Sequence, residues 1–126
     1  MKAFLAIKYY EDMRNKELIE NICYTLKNIE VFAFVKNIQN YHKCTLSPNE
    51  IMQRAFKEIK SSDIFIIDAT ELSIGIGIEA GYAYSNNIPI YLIANKKAEV
   101  SNSIKGICSK MLFYEDINEI SKLFAN

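Results

Sequence analysis

The chain has few of the residues that mark disulfide-rich or metal-binding proteins. Its three cysteines, Cys23, Cys44 and Cys108, lie far apart and form no C-x-x-C pair. An odd, scattered set of this kind predicts reduced thiols rather than a disulfide framework or a zinc site. The single histidine, His42, has no set of Cys, Asp or Glu at metal-ligand spacing around it. We therefore predict a surface histidine, no metal and no cofactor.

Neither sign of charge is in excess, and long apolar runs are missing. The sequence carries 15 basic and 15 acidic residues, for a net charge of zero. It therefore offers no electrostatic basis for binding nucleic acid. No apolar run approaches the roughly 18 to 20 residues that span a bilayer. The first residues also lack the order of a signal peptide. We expect a cytoplasmic protein that binds neither nucleic acid nor membrane.

Short β-rich runs alternate with stretches in which apolar residues recur at helical spacing. This alternation predicts βαβ units and a parallel sheet covered on both faces. We therefore predict one domain, residues 1–126, with an α/β fold. The fold class is a flavodoxin-like (Rossmann-like) three-layer sandwich with a five-stranded parallel sheet. The predicted strands are residues 3–7, 31–35, 64–68, 88–94 and 111–114, and the predicted helices are residues 14–29, 47–59, 77–85, 103–109 and 116–124.

One helix start has a strong local signal. Ser47 is followed by Pro48 at the first helical position and by Glu50 three residues after the serine. This is the capping-box pattern, in which each of the two side chains accepts a hydrogen bond from the backbone of the other residue. A helix is therefore predicted to begin here.

The segment S-I-G-I-G-I-E follows the strand that ends at Asp68, where ligands bind in open parallel sheets. Gly75 and Gly77 allow a close approach or a positive φ, although their spacing does not match the dinucleotide fingerprint. We expect a helix from Gly77, with Glu79 in its first turn, where backbone amides stabilise an anion. The alternatives are that the glycines only pack helix against strand and that Glu79 only complements the helix dipole. The Asp68 carboxylate is expected to accept hydrogen bonds either from loop amides or from the sugar of a ligand.

The runs DATELSIGIGIEAGYA, NNIPIYLI and SNSIKG resemble the nucleoside 2-deoxyribosyltransferase superfamily. The similarity is greatest to its branch of 2′-deoxynucleoside 5′-phosphate N-hydrolases. The resemblance implies that Glu79 attacks the anomeric carbon and forms a glycosyl-enzyme ester. The substrate would then be a small nucleotide, cleaved with no cofactor.

The resemblance also implies the residues that hold the substrate. Ser73 stands where the hydrolases contact the 5′-phosphate and the transferases have an aspartate. Ser101, with Ser103 close by, matches a serine that reaches the phosphate from the neighbouring subunit. This implies a homodimer with shared active sites. Gly75 and Gly77 would let main chain and sugar approach each other.

The family places an aspartate, which assists the departing base, at the position of Ala55. An enzyme without it uses another carboxylate, such as Asp68 or Glu71, or is slow, or only binds its ligand.

The loop after the first strand also differs from that of the hydrolases, which contains glycines and an arginine. Here Lys8 is the candidate phosphate partner, with Arg14 as a second cation. Tyr9 or Tyr10 is the candidate wall of the base pocket. For each of these residues the alternative is a solvated or packed side chain.

Three other activities stay open from the sequence. A deoxyribosyltransferase would pass the sugar to a second base instead of water. A non-catalytic nucleotide sensor would bind without cleaving, and an NAD-cleaving enzyme is a weaker third option. Neither the base nor the tolerance of a 2′-hydroxyl is predicted.

Overall fold

The structure, a computed structural model, describes residues 1–125. Within these residues, five strands form one sheet, and every neighbouring pair in it is parallel. The strands are β1 (Lys2–Ala6), β2 (Glu30–Ala33), β3 (Ile64–Asp68), β4 (Ile90–Asn95) and β5 (Lys110–Tyr114). Their order is β2-β1-β3-β4-β5. The predicted fold class, with its five-stranded parallel sheet, is confirmed.

Helices connect the strands and cover both faces of the sheet. In the described part of the chain these are α1 (Lys16–Thr25), α2 (Phe34–Asn37), α3 (Pro48–Lys60), α4 (Ile74–Ser85), α5 (Asn102–Lys105) and a 3₁₀ helix (Ile117–Phe124). Among residues 1–125, no helix combines the length and apolar character that crossing a membrane requires.

The two faces of the sheet bury separate apolar clusters. Successive side chains of a strand point to opposite faces, so Phe4 joins one cluster and Leu5 the other. Phe4 stacks on Phe65 at 5.5 Å between ring centroids, in the cluster covered by α3 and α4. The opposite cluster includes Ile19 of α1 and Ile120 of the 3₁₀ helix. The molecule thus has the three layers that the sequence predicts.

The capping box of α3 is confirmed. The Ser47 hydroxyl accepts from the Glu50 amide at 3.2 Å, and the Glu50 carboxylate accepts from the Ser47 amide at 3.0 Å. The second predicted strand was too long, because the chain turns into α2 at Phe34. The Asn37 side chain closes this turn by accepting from the Ala33 amide at 2.9 Å.

The strand order reverses direction at β1. This strand pairs with β2 on one side and with β3 on the other. Connections on either side of such a point leave on opposite faces of the sheet, so a crevice opens outside the carboxyl ends of these strands. Ligand-binding residues are therefore expected directly after Ala6 and Asp68.

Candidate active site

A cleft of about 420 Å³ opens at the carboxyl end of β1, on the face covered by α3 and α4. Its floor comes from β1 and from the beginning of α2. One wall is the beginning of α4 and another is α3, while the β1–α1 and α2–α3 loops line its mouth. The lining residues are Phe4, Leu5, Ala6, Ile7, Tyr9, Glu11, Phe34, Val35, Gln39, Lys43, Cys44, Ile51, Met52, Ser73, Gly75, Ile76 and Glu79.

The start of α4 differs from its prediction. The helix begins at Ile74 rather than Gly77, and the Ser73 hydroxyl caps it by accepting from the Ile76 amide at 3.4 Å. Within residues 1–125, no glycine has a positive φ, so Gly75 and Gly77 make no turn. An added Cβ at either glycine would meet no atom within 4 Å. Gly75 thus leaves open space in the cleft wall, whereas Gly77 is exposed and does not line the cleft.

Glu79 lies in the second turn of α4 and lines the cleft. The expectation of a first-turn carboxylate held as an anion is wrong. The free amides of a helix belong to its first four residues, and Glu79 is the sixth residue of α4. Burial instead raises the pKa of Glu79 to about 7. The group therefore exchanges its proton near neutral pH, as enzyme carboxyls tuned by an apolar environment do.

Several residues of the cleft had not been singled out from the sequence. Glu11 comes from the β1–α1 loop, and Gln39, Lys43 and Cys44 come from the polar stretch that follows α2. Met52 of α3 is half-buried and lines the cleft. Of the predicted binding residues, Tyr9, Ser73 and Gly75 lie in this cleft with Glu79.

Ala55 is buried on the inward face of α3, in the apolar cluster that α3 and α4 cover. Its charged neighbours on α3 act elsewhere. Arg54 pairs with Glu58 at 3.1 Å, and Glu58 also pairs with Lys2 at 2.6 Å, beside the amino end of β1. Glu50 is engaged in the capping box. Arg54, Glu58 and Glu50 do not line the cleft, so none of them brings a charged group to it.

Asp68 and Lys8 line a second cleft of about 190 Å³, on the α1 side of the sheet. Asp68 is 3% exposed, and its carboxylate accepts from the Thr70 amide at 2.9 Å and from the Tyr114 hydroxyl at 3.5 Å. Burial raises the pKa of Asp68 above its ordinary value, although the Thr70 amide opposes this. Asp68 and Glu79 therefore line different clefts. The bond from the Thr70 amide fits the interpretation in which Asp68 binds loop amides.

The remaining candidates of the second cleft bond to one another. Lys8 pairs with Glu71 at 3.5 Å, and the Tyr10 hydroxyl donates to the same carboxylate at 2.5 Å. The Arg14 guanidinium lies 4.7 Å from the centre of the Tyr10 ring. Glu71, which the sequence offered as a substitute acid, therefore also lies outside the cleft of Glu79.

Ser101 and Ser103 lie at the start of α5, and both are exposed. Neither lines either of the two clefts. Among the described residues, no group of three or more His, Cys, Asp or Glu side chains is placed to hold a metal ion.

Solved structures share this architecture along nearly the whole chain. The CMP N-glycosidase BcmB of Clostridium botulinum superposes with a TM-score of 0.74 at 22% identity, covering 99% of this chain and 100% of that one. A conserved protein of Enterococcus faecalis V583 gives 0.73 at 17%, covering 98% of each. A 2-deoxyribosyltransferase of Bacillus psychrosaccharolyticus gives 0.72 at 20%, covering 95% of this chain and 90% of that one.

The chain has their fold. The resemblance stated from the sequence motifs is thereby confirmed at the level of fold. Searches against protein-family models and against curated proteins found no match.

Proposed function

We propose that the protein is an N-glycosidase that cleaves the base from a nucleoside 5′-monophosphate through a glycosyl ester on Glu79. The observation that carries the proposal is that Ser73 and Glu79 line one cleft from one helix. The rise of a helix separates them by roughly 9 Å along its axis. This leaves room for a sugar whose anomeric carbon faces the carboxylate and whose 5′-phosphate faces the helix start. The fold it shares with a CMP N-glycosidase supports the same reaction class.

The chemistry follows from the environment of the carboxylate. Breaking the glycosidic bond develops positive charge on the sugar, and a carboxylate in a partly dehydrated cleft stabilises that charge. A Glu79 oxygen bonds to C1′ as the C1′–N bond breaks, and the bond's electron pair leaves with the base. Water then attacks C1′ of the ester and returns a proton to the group that protonated the base. The carboxylate is released, and the products are a free base and a sugar 5-phosphate.

The departing base must gain a proton, and we assign that proton to Glu11. Within residues 1–125, Glu11 and Glu79 are the carboxyl groups that line this cleft. Glu11 is exposed on the loop after β1, at the mouth of the cleft. It would thus supply the function that the buried methyl group of Ala55 cannot.

The phosphate end fits the capped start of α4. The early amides of a helix favour an anion, and the Ser73 hydroxyl stands beside them. Lys43 lines the same cleft and is exposed, so it adds positive charge near its mouth. Gly75 leaves the backbone open to the ligand because no side chain covers it there.

We further propose a homodimer with shared sites. The outward face of α4 is apolar, with Ile74 85% and Ile78 50% exposed. Added Cβ atoms at Gly77 and Gly81 would meet nothing within 4 Å, so a second copy can approach this helix closely. Exposed apolar patches of this kind favour association. In such a dimer the exposed Ser101 would complete the phosphate site of the partner subunit.

The test is base release, followed by chromatography, from a panel of ribo- and deoxyribonucleoside 5′-monophosphates. Glu79→Gln should abolish release and keep binding. Glu30→Gln, which alters an exposed carboxyl at the amino end of β2, should change neither. Release that survives Glu79→Gln would refute the proposal. Release only after a second base is added would identify a transferase, which the shared fold with a 2-deoxyribosyltransferase supports as the second candidate. Binding with no release from any nucleotide, including NAD, would favour a sensor.

A further inference from the structure

We infer that Tyr10 and Glu71 are positioning residues, which hold the β1–α1 loop (residues 7–15) so that Glu11 stays at the mouth of the cleft of Glu79. The inference rests on the proposed function and concerns the same cleft. Tyr10 and Glu71 line the second cleft, on the α1 side of the sheet, so neither touches a substrate bound beside Glu79. They act on the reaction through the loop that carries Glu11.

Successive side chains of this loop line different clefts. Tyr9 and Glu11 line the cleft of Glu79. Lys8 and Tyr10 line the second cleft. The loop thus lies between the two clefts, and one short stretch of backbone carries residues of both. A contact that holds Tyr10 therefore also limits where Glu11 can lie.

Two side chains of the loop converge on Glu71, which lies in the segment that joins β3 to α4. The Tyr10 hydroxyl donates to the Glu71 carboxylate at 2.5 Å, and the Lys8 ammonium lies 3.5 Å from the same oxygen. Burial and the bond to Glu71 raise the pKa of Tyr10 to about 12, so Tyr10 remains the donor near neutral pH. Glu71 lies two residues before Ser73. The bridge of Lys8, Tyr10 and Glu71 therefore joins the loop of Glu11 to the start of α4.

This bridge is the polar connection between the loop and the rest of the protein. Among residues 1–125, no other side chain of the loop forms a hydrogen bond or ion pair outside it. Arg14 pairs with Asp12 at 3.0 Å, and the Asn15 side chain donates to the Lys8 carbonyl at 2.8 Å. The Glu11 side chain takes part in none of these contacts, so its position depends on the loop that carries it.

The surroundings of Tyr10 favour one position for its ring. The Lys8 ammonium lies 5.4 Å and the Arg14 guanidinium 4.7 Å from the ring centre, where a cation is attracted to an aromatic face. Met13 has a φ of 55°, a conformation that costs free energy outside glycine. Its amide donates to the Tyr10 carbonyl at 3.0 Å. Because this turn is costly, the loop needs contacts such as those of Tyr10 to keep its shape.

The size of the expected effect follows from the exposure of the bridge. The Glu71 side chain is 59% exposed, and single contacts at such sites are weak because water screens them. Their loss should move part of the loop population away from the cleft without unfolding the protein. We therefore expect base release to slow by about 3- to 10-fold and not to stop.

The experiment measures kcat and KM of base release for Tyr10→Phe and Glu71→Ala, with the monophosphate that the wild type cleaves best. Each variant should lower kcat about 3- to 10-fold. KM should change less than about twofold, because the proposed phosphate contacts lie at the start of α4. Glu71→Gln keeps an acceptor for the Tyr10 hydroxyl and should recover most of the rate. Glu115→Ala is the matched control, since it removes an exposed pair with Lys96 outside both clefts and should change neither constant.

Two further measurements distinguish positioning from a loss of stability. In a Glu11→Gln background, Tyr10→Phe should slow single-turnover base release no further, because the group that Tyr10 positions is already absent. Hydrogen exchange of the amides of residues 7–15 should be faster in Tyr10→Phe than in the wild type, because the loop opens more often. Glu115→Ala should leave this exchange unchanged.

Base release that neither Tyr10→Phe nor Glu71→Ala slows would overturn the inference and leave the proposed function standing. So would an equal slowing by Tyr10→Phe in the presence and in the absence of the Glu11 carboxyl. If one of the two variants does not fold, the other decides, since each removes the same hydrogen bond. A panel in which the wild type cleaves no monophosphate would overturn both the inference and the proposed function.

Discussion

Ser73 and Glu79 face the same cleft from successive turns of α4, the first as the cap of the helix and the second as a carboxyl in its second turn. Because a helix is rigid over this length, their separation is set by the backbone and does not depend on a flexible loop. One short segment thus presents an anion-binding end and a carboxyl to the same ligand.

Ser73→Ala should raise KM for monophosphates about tenfold or more and change KM for free nucleosides little. A hydrogen bond to a charged phosphate oxygen is worth more than one to a neutral group. Steady-state kinetics on both substrate classes checks this. An equal loss for both classes would remove the argument for a nucleotide substrate.

Ser47→Ala is the matched control for Ser73→Ala. Ser47 caps α3 with the same kind of hydrogen bond but does not line the cleft. Either substitution should lower the free energy of unfolding by about 1 kcal/mol, because a cap is lost. Only Ser73→Ala should change the preference for monophosphates. The pair therefore distinguishes an effect on ligand binding from an effect on helix stability.

The free energy of unfolding should depend on pH because of Glu79. Burial raises the pKa of this carboxyl from 4.5 to about 7. Below pH 4.5 the group is protonated in both the folded and the unfolded chain. Between these two values the unfolded chain releases the proton first, so stability falls as the pH rises, by about 3 kcal/mol at full effect.

Glu79→Gln stays neutral and should escape this loss. Its free energy of unfolding should match that of the wild type near pH 4 and exceed it by up to about 3 kcal/mol at pH 8. Urea unfolding at several pH values measures this difference between the two proteins. Burial also raises the pKa of Asp68, but both proteins contain Asp68, so its contribution cancels in the difference. A difference that does not depend on pH would contradict the burial of Glu79.

Glu11→Gln should lower kcat about 100-fold or more, because the departing base loses its proton donor. Glu17→Gln, an exposed carboxyl on α1 that lines neither cleft, should leave kcat unchanged. Single-turnover base release measures the step directly. If Glu11→Gln turns over like the wild type, the proton comes from another source.

Mixing two impaired variants tests the shared site. As homodimers, Glu79→Gln should be inactive and Ser101→Ala should lose most of its activity when the monophosphate concentration is far below KM. A mixed dimer contains one site with both native residues, so random exchange should restore about a quarter of wild-type activity. Activity assays after co-refolding measure this. No recovery in a mixture that mass spectrometry shows to contain mixed dimers would contradict the sharing of sites.

Local signals predicted much of the fold. The capping box at Ser47 and the helical spacing after it depend on neighbours in sequence, so α3 was placed correctly. The predicted start of α4 is too late because Gly75 was placed before the helix, as a residue that allows a close approach or a positive φ, whereas Gly75 and Gly77 are both ordinary helical residues. The overlooked signal was Ser73, a good cap at the position before Ile74.

The site was only partly predictable, for a physical reason. Ser73 and Glu79 belong to one segment, so its motif indicated both. Glu11 and Gln39 reach the cleft from separate loops, and only the packing of the sheet brings them there. The raised pKa of Glu79 likewise arises from burial, which the sequence of α4 does not specify.

The most direct test of the role of Glu79 is the mass of the protein during turnover. When a reaction with a monophosphate that the protein cleaves is quenched with acid, we expect the protein to carry a trapped sugar 5-phosphate adduct. Peptide mapping should assign this adduct to Glu79. Glu79→Gln, incubated in the same way, should carry none. An adduct on a different residue, or undiminished base release by Glu79→Gln, would contradict the proposed nucleophile.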